Sequence, residues 1–183
     1  MSNVIVIGGG AAGLMAGYAA GICGHQVTIL EKNEKLGKKI YITGKGRCNF
    51  TNACDTEDFF KNVVSNPKFL YSALYTFSPD SMIGFVESQG IPTKVERGNR
   101  AFPESNHASD ITKALEKAIR EYGVNVRLRT EVKDILIEDN KVIGVKLSDG
   151  SIINCDNVIL CTGGLSYQTT GSTGDGLKWA RKI

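Results

Sequence analysis

Six residues near the amino terminus, Gly8-Gly9-Gly10-Ala11-Ala12-Gly13, have the GxGxxG spacing of a phosphate-binding turn. In such a turn Gly8 allows a tight bend, Gly10 lets the backbone reach a pyrophosphate, and Gly13 lets a helix pack closely on a strand. A helix beginning at Ala11 and Ala12 would direct its free N–H groups and the positive end of its dipole at the phosphates. These residues predict a site for a dinucleotide.

The neighbouring elements provide the context that this turn requires. Val4–Ile7 is an apolar, β-branched run typical of a buried strand, and an alanine-rich helical stretch extends from the glycines to about Cys23. Gln26–Leu30 predicts a second buried strand, which ends at Glu31. The Glu31 carboxylate can accept hydrogen bonds from both hydroxyls of an adenosine ribose and would repel a 2′-phosphate. This βαβ unit disfavours NADP, but it leaves FAD, NAD and a turn without ligand as alternatives.

The remaining chain predicts an α/β fold. Helices are predicted at 68–77, at 80–89, on the face formed by Ile111, Leu115, Ala118, Ile119 and Tyr122, and from about Asp175 onward. Strands are predicted at 124–128 and 157–161, and between them three alternating segments, 132–137, 141–147 and 151–154, form a β-meander. The order predicts a Rossmann-like domain with a parallel sheet and the meander as one crossover. In the last helix we expect apolar Leu177 and Trp179 to lack packing partners.

Composition limits the class of protein. The chain has 183 residues, of which 42% are hydrophobic and 22% charged, enough for one globular domain or one domain plus a small excursion. A net charge of +3 is too small to imply nucleic-acid or membrane binding. The five cysteines show no metal-ligand spacing, and the apolar amino terminus lacks the basic start of a secretion signal. We therefore expect a cytoplasmic protein with reduced thiols, no metal and no membrane partner.

Four blocks of sequence resemble the BaiN/RdsA-type family of FAD-dependent oxidoreductases. They are the glycine turn, GKKIYITGKGRCNFTN at 37–52, RAFPESNHASDI at 100–111 and VILCTGGLSYQTTGSTGDGLKWA at 158–180. The Thr-Gly-x-Gly-Arg-Cys-Asn-x-Thr-Asn block is specific to that family, whereas the glycine turn occurs in many proteins. Gln168 stands where the family usually has proline, and Ala101 where it usually has a branched residue. Neither change falls on a predicted cofactor contact.

The resemblance implies FAD rather than NAD in the glycine turn. It implies that the segment from Thr43 to Asn52 passes the flavin end, that Thr162-Gly163-Gly164 brings backbone close to the FAD, and that Asp175 lies at the cofactor. It also places Val132 where backbone groups hold the adenine. The predicted cofactor-binding set is Gly8, Gly10, Ala11, Ala12, Gly13, Glu31, Lys32, Lys39, Thr43, Gly46, Arg47, Cys48, Asn49, Val132, Thr162, Gly163, Gly164 and Asp175.

The same resemblance implies flavin-mediated hydride transfer to or from a small-molecule substrate. The reaction would be reduction of an unsaturated substrate with NAD(P)H as a candidate donor, or oxidation of an amino ketone. Family members are about twice as long, with an inserted substrate domain and a carboxy-terminal segment that covers the flavin. A general acid or base is expected in those parts, so no catalytic residue is predicted here. The alternatives are an FAD- or ADP-binding module without turnover and an NAD-dependent dehydrogenase.

Some residues admit two interpretations. The cations in the basic stretch 32–47 are either a solvated face with one or two pyrophosphate contacts, or a docking patch for RNA or for a nicotinamide cofactor's phosphate. Cys48 is either a buried, unreactive thiol or half of a redox pair with Cys54. His25 is interpreted as structural. His107 is a weak catalytic candidate, and Ser166 and Tyr167 could face the flavin.

Overall fold

The computed structural model describes residues 1–182. In chain order the strands are β1 (Asn3–Ile7), β2 (Gln26–Leu30), β3 (Thr51–Asn52), β4 (Thr93–Glu96), β5 (Arg100–Pro103), β6 (Asn125–Arg127), β7 (Val132–Glu138), β8 (Lys141–Leu147), β9 (Ile152–Asn154) and β10 (Asn157–Leu160). The α-helices are α1 (Ala11–Ile22), α2 (Thr56–Lys61), α3 (Tyr71–Thr76), α4 (Pro79–Ser88), α5 (Ala108–Glu121) and α6 (Asp175–Ala180). The chain divides into two compact units, Met1–Ile40 with Leu115–Ile183, and Tyr41–Ala114.

The first unit contains the parallel sheet that the sequence predicts. Its strand order is β10-β1-β2-β6, and all neighbouring strands are parallel. Val4, Ile5, Val6 and Ile7 are all buried, because β1 lies at the interior of the sheet and is covered on both faces. The predicted βαβ unit is therefore confirmed, with β2 and β10 on either side of β1.

Helix α1 packs on this sheet through small residues. Gly13, Gly17 and Gly21 are buried along the helix, and a Cβ on Gly17 would lie only 2.9 Å from the Ile29 side chain of β2. The backbone of α1 can therefore approach the sheet closely. The helix ends at Ile22, and Gly24 follows it with a positive φ of 76°, which is a common way to terminate a helix.

The meander forms a second, antiparallel sheet in the same unit, in the order β7-β8-β9. Side chains from this sheet and from the parallel sheet share one hydrophobic core, which includes Ile5, Leu30, Val145 and Trp179. The prediction that Trp179 lacks packing partners is wrong. Its ring is only 7% exposed, and its indole N–H donates to the Lys133 carbonyl at 3.2 Å. Leu177, on the opposite side of α6, is 49% exposed.

The second unit contains a small antiparallel sheet that sequence analysis missed, with the order β3-β5-β4. These strands have four residues or fewer and interrupted apolar patterns, so alternation gives little signal. Ala101 in β5 is fully buried and pairs with Thr51. The helix predicted at 68–77 is instead a 3₁₀ turn, Pro67–Leu70, followed by α3.

Candidate functional site: a glycine turn and the loops around it

The three glycines of the GxGxxG pattern, Gly8, Gly10 and Gly13, have different structural roles. Gly8 has a φ of +107°, and a Cβ on it would overlap the carbonyl oxygen of Cys161. A Cβ on Gly13 would overlap the carbonyl oxygen of Gly8. Gly10 has an ordinary φ of −81°, and a Cβ built there meets no atom within 4 Å. The protein's own packing therefore requires glycine at positions 8 and 13, whereas Gly10 borders open space of the kind that a ligand can fill.

The open space lies at the amino-terminal end of α1. Among the described residues, no acidic residue lies in the first turn of this helix. Its N-cap residue is Gly10, so no side-chain hydrogen bond caps the helix. Ala11 and Ala12 are exposed, and the first intrahelical bond runs from Leu14 N–H to the Gly10 carbonyl at 2.9 Å. The backbone N–H groups that precede Leu14 are therefore free of intrahelical acceptors and favour an anion.

Glu31 is held rigidly beside the turn. Its side chain is only 7% exposed. One carboxylate oxygen, Oε2, accepts the Gly9 N–H at 2.6 Å. The other, Oε1, accepts both the backbone N–H and the side-chain amide of Asn33, each at 2.7 Å. The carboxylate thus holds the glycine turn in place, in addition to any bond that it makes to a ligand. Its position in the sequence alone does not reveal this structural role.

Two predicted cations bind the loop that follows β10. Lys39 Nζ donates to the Ser166 carbonyl at 2.9 Å and to Ser172 Oγ at 2.7 Å. Lys32 Nζ lies 3.1 Å from Asp175 Oδ2. A hydrogen bond from Thr173 and the nearby Lys32 ammonium lower the pKa of Asp175 from its usual value. Both lysines therefore hold the loop on which the resemblance placed cofactor contacts.

The turn at Thr162 closes the same region from the end of β10. Thr162 Oγ1 accepts the Gly176 N–H at 3.1 Å, which joins the turn to the start of α6. Gly163 has a φ of +72° and lies against Ser172. Because Gly8 lies against Cys161 and Thr162, this turn and the glycine turn are in direct contact.

The structure therefore brings together a subset of the predicted site residues: Gly8, Gly10, Gly13, Glu31, Lys32, Lys39, Thr162, Gly163 and Asp175 all belong to these contacting segments of the first unit. Val132 directs its side chain into the hydrophobic core, which leaves only its backbone for a ligand. Sequence analysis assigned no role to Asn33, Ser172 or Thr173, although the last two lie within the block at 158–180.

Five predicted residues, Thr43, Gly46, Arg47, Cys48 and Asn49, belong to the second unit, and their roles as cofactor contacts stay predictions. Arg47 forms a forked ion pair with Glu96 at 2.8 and 3.1 Å, which lowers the pKa of that carboxyl. The guanidinium also lies 4.2 Å from the centre of the Phe102 ring. Its contacts within this unit are thus those of a structural residue.

The cysteines and the basic stretch are placed as follows. Burial raises the pKa of the Cys48 thiol, which is 3% exposed, and this favours the unreactive interpretation. All five cysteines lie in the described part of the chain and are free thiols.

Several cations of the basic stretch have partners within the protein. Lys38 pairs with Glu34 at 3.4 Å. Since Lys32, Lys39 and Arg47 also have partners in the protein, at least four cations of the basic stretch make internal contacts.

Comparisons with known proteins are consistent with this geometry. The sequence profile of the HI0933-like protein Rossmann domain family matches residues 2–183. A 3-dehydro-bile acid delta(4,6)-reductase of Clostridium scindens is 34% identical over 185 residues, covering 100% of this chain and 44% of the reductase. A ribosomal RNA dihydrouridine synthase of Haemophilus influenzae is 33% identical over 184 residues, covering 100% of this chain and 45% of the synthase. The chain thus spans less than half the length of these curated relatives.

Solved structures share the fold. The open conformation of a flavocytochrome c3 fumarate reductase has a TM-score of 0.70 and 24% identity, covering 99% of this chain and 40% of that one. A 3-ketosteroid-delta4-(5alpha)-dehydrogenase of Rhodococcus jostii has a TM-score of 0.69 and 16% identity, covering 91% of this chain and 46% of that one. The predicted fold class, a Rossmann-like fold of the flavoenzyme type, is confirmed. Among the described residues, no helix is long and apolar enough to cross a membrane.

Proposed function

Because the chain belongs to the HI0933-like Rossmann domain family, we propose that it is the FAD-binding part of a flavin-dependent oxidoreductase. The observation that carries this proposal is the open space at Gly10. It lies at the free N–H groups of α1 and beside the fixed carboxylate of Glu31. A pyrophosphate fits the first of these features and an adenosine ribose the second.

FAD is favoured over NAD by the relatives rather than by the glycine turn. Both NAD and FAD have a pyrophosphate and an adenosine ribose, so Gly10 and Glu31 would suit either. The matching structures include flavoenzymes such as the flavocytochrome c3 fumarate reductase, and the matching relatives include flavin-containing monooxygenases. We therefore assign FAD to the turn and treat NAD as the ligand that the experiment must exclude.

Bound FAD would supply the hydride chemistry, and the residues of this chain would bind and orient it. The amide groups of α1 and Gly10 hold the phosphates, and Glu31 holds the ribose. Lys39 carries a positive charge whose contacts are a carbonyl and a hydroxyl, so it is available to offset phosphate charge. Asp175 is already paired with Lys32, which reduces the repulsion that its carboxylate would exert on a nearby anion.

For the reaction, we propose reduction of an unsaturated substrate, with NAD(P)H as the donor. The support is that one relative is named as a reductase and another as a dihydrouridine synthase. An RNA substrate would follow the second relative, but the ion pairs of Lys32 and Lys38 leave fewer free charges for it in this part of the chain. A small unsaturated molecule is therefore our first candidate.

The test is to identify what the purified protein binds. Ligand released by heat would be separated by chromatography and compared with FAD, FMN and NAD, and the same protein would be titrated with each. We expect FAD at up to one molecule per chain. Release of NAD, or binding of NAD in preference to FAD, would show that the turn serves a dehydrogenase instead.

A further inference from the structure

Asn33 connects the Glu31 carboxylate to the loop that follows β10. Its side-chain nitrogen Nδ2 lies 2.7 Å from Glu31 Oε1 and 3.2 Å from the carbonyl oxygen of Thr170. A carboxylate and a carbonyl both only accept hydrogen bonds, so the atom between them must be the amide nitrogen. An amide NH₂ has two hydrogens, and these two acceptors use both of them.

The backbone of Asn33 strengthens the connection. Its N–H donates to Glu31 Oε1 at 2.7 Å, and its carbonyl accepts the Arg129 N–H at 3.0 Å. On the far side, a Cβ on Gly171 would lie 2.8 Å from Asn33 Nδ2, which shows how closely the loop approaches. Asn33 is therefore fixed between two segments of the candidate site that are far apart in sequence.

These contacts also limit what Glu31 can offer a ligand. A carboxylate has about four acceptor positions. Gly9 and the two N–H groups of Asn33 occupy three of them. One position remains, on Oε2. We therefore expect Glu31 to accept a hydrogen bond from one ribose hydroxyl and not from both. The bonds to the other carboxylate oxygen set the direction of that bond.

We infer that Asn33 is a positioning residue for nucleotide binding. It orients Glu31 so that Oε2 faces a ribose hydroxyl. It also holds the loop that follows β10, at Thr170, against the same site. This inference rests on the proposed function, because it assumes that a nucleotide occupies the glycine turn. It adds that one amide side chain links the adenosine end of the ligand to the loop between β10 and α6.

The discriminating variant is Asn33→Asp. It replaces the amide donor by a carboxylate that faces both Glu31 Oε1 and the Thr170 carbonyl. Lys38 also faces this side chain, with its Nζ 3.3 Å from Asn33 Oδ1 and 3.4 Å from Glu34 Oε2. The Lys32 side chain lies nearby, since a Cβ on Gly171 would approach both Lys32 and Asn33. Two adjacent carboxylates ionise together only at a cost, so one of them retains its proton to a higher pH than usual. When protonated, the substituted group can again donate a hydrogen bond.

The experiment titrates the 183-residue chain with ADP and with FAD between pH 5 and pH 8, because ADP contains the adenosine end without the flavin. We expect Asn33→Asp to bind both ligands at least about tenfold more weakly at pH 8, the size of a lost hydrogen bond to a charged group, with recovery toward pH 5. Asn33→Ala should be weakened about as much at every pH. Asn140→Asp is the matched control, since it makes the same chemical change in the exposed turn between β7 and β8.

Three outcomes separate the hypotheses. If the unaltered chain binds neither ADP nor FAD, both the proposed function and this inference are overturned. If it binds them and Asn33→Asp has the affinity and pH profile of Asn140→Asp, the nucleotide site stands and the role of Asn33 is wrong. A loss for Asn33→Asp that is restricted to pH values at which the substituted carboxylate is ionised, together with a loss for Asn33→Ala at every pH, supports the inference.

Discussion

At the scale of single residues, the Glu31 carboxylate joins two segments of the candidate site through its hydrogen bonds. Each of its oxygens faces N–H donors, Gly9 on one side and Asn33 on the other. No neutral side chain of the same shape can satisfy both, because an amide has one acceptor oxygen and one donor nitrogen. Two acceptor oxygens on this side chain are thus required by the protein's own hydrogen bonding before any ligand binds.

This arrangement predicts that Glu31→Gln is nearly as harmful as Glu31→Ala. Whichever way the amide is turned, its NH₂ group would face an N–H donor and would lose at least one bond. We expect either variant to weaken FAD or ADP binding by about 1–3 kcal/mol, the scale for hydrogen bonds to a charged group. Calorimetric titration would measure the effect, with the exposed Glu138→Gln as the matched control. An unchanged affinity for Glu31→Gln would mean that the ribose is held elsewhere.

The glycine turn predicts a separation between folding and binding. Gly10→Val should retain the fold, because its backbone angle is ordinary and no protein atom lies within 4 Å of a Cβ there, yet it should abolish cofactor binding by filling the phosphate space. Gly13→Val should instead damage the fold, since its Cβ would overlap the Gly8 carbonyl. Circular dichroism and flavin titration of the two variants would show this contrast. Stoichiometric flavin in Gly10→Val would contradict the assigned geometry.

At the scale of elements, α6 is a structural part of the first unit. Trp179 joins the core formed by the parallel sheet and the meander, and its indole N–H has an acceptor in β7. Asp175, at the start of the same helix, is paired with Lys32. One face of this short helix therefore stabilises the two-sheet core, while its first residue lies in the candidate site.

This role predicts a large effect of truncating Trp179. We expect Trp179→Ala to reduce the free energy of unfolding by about 3–5 kcal/mol, as for other buried large side chains. Trp179→Phe keeps most of the packing but loses the bond to the Lys133 carbonyl, so it should cost less, about 1–2 kcal/mol. Urea unfolding of both variants would test this, with Leu177→Ala as the exposed control on the same helix. Equal losses for Trp179→Ala and Leu177→Ala would refute the assignment of Trp179 to the core.

At the scale of the whole molecule, the chain corresponds to 44% of the Clostridium scindens reductase that it matches. The segments that we assign to the ADP part of FAD, the glycine turn and Glu31, are all present in the first unit. The walls around the flavin ring are assigned only by resemblance. The structure of this chain therefore supports the assignment of the ADP end, whereas the contacts to the flavin ring stay predictions.

We accordingly expect residues 1–183, when expressed alone, to bind ADP about as well as a full-length relative does, but to bind FAD more weakly and to turn over NAD(P)H slowly. If the flavin ring is less enclosed in that isolated polypeptide, the reduced flavin would react readily with oxygen, so residual activity should be unselective oxidase activity. Parallel titrations with ADP and FAD, and NAD(P)H consumption with and without oxygen, would measure this against the Clostridium scindens enzyme. Equal FAD affinity and equal turnover would show that the chain is a self-sufficient enzyme.

The sequence by itself determined the features that depend on neighbours along the chain. The glycine turn, the strands on either side of it, Glu31 at the end of β2 and the hairpin turns of the meander all follow from local spacing and alternation, and the structure confirms the fold class that they predict. Gly8 was predicted to allow a tight bend and Gly13 to allow close packing; Gly8 has a positive φ of 107°, and both meet backbone where a Cβ would lie.

Only the tertiary structure decided the contacts between distant segments. Lys32 and Thr173 are 141 positions apart, and Asn33 and Thr170 are 137 apart, yet each pair forms a hydrogen bond. Periodicity and motif spacing carry no information at that separation, because which loop meets which is set by the order of strands in the sheet. For the same reason no sequence pattern pointed to the contacts of Asn33, and the prediction that Trp179 lacks packing partners was wrong. Both residues have their roles through partners that the fold, and not the local sequence, brings to them.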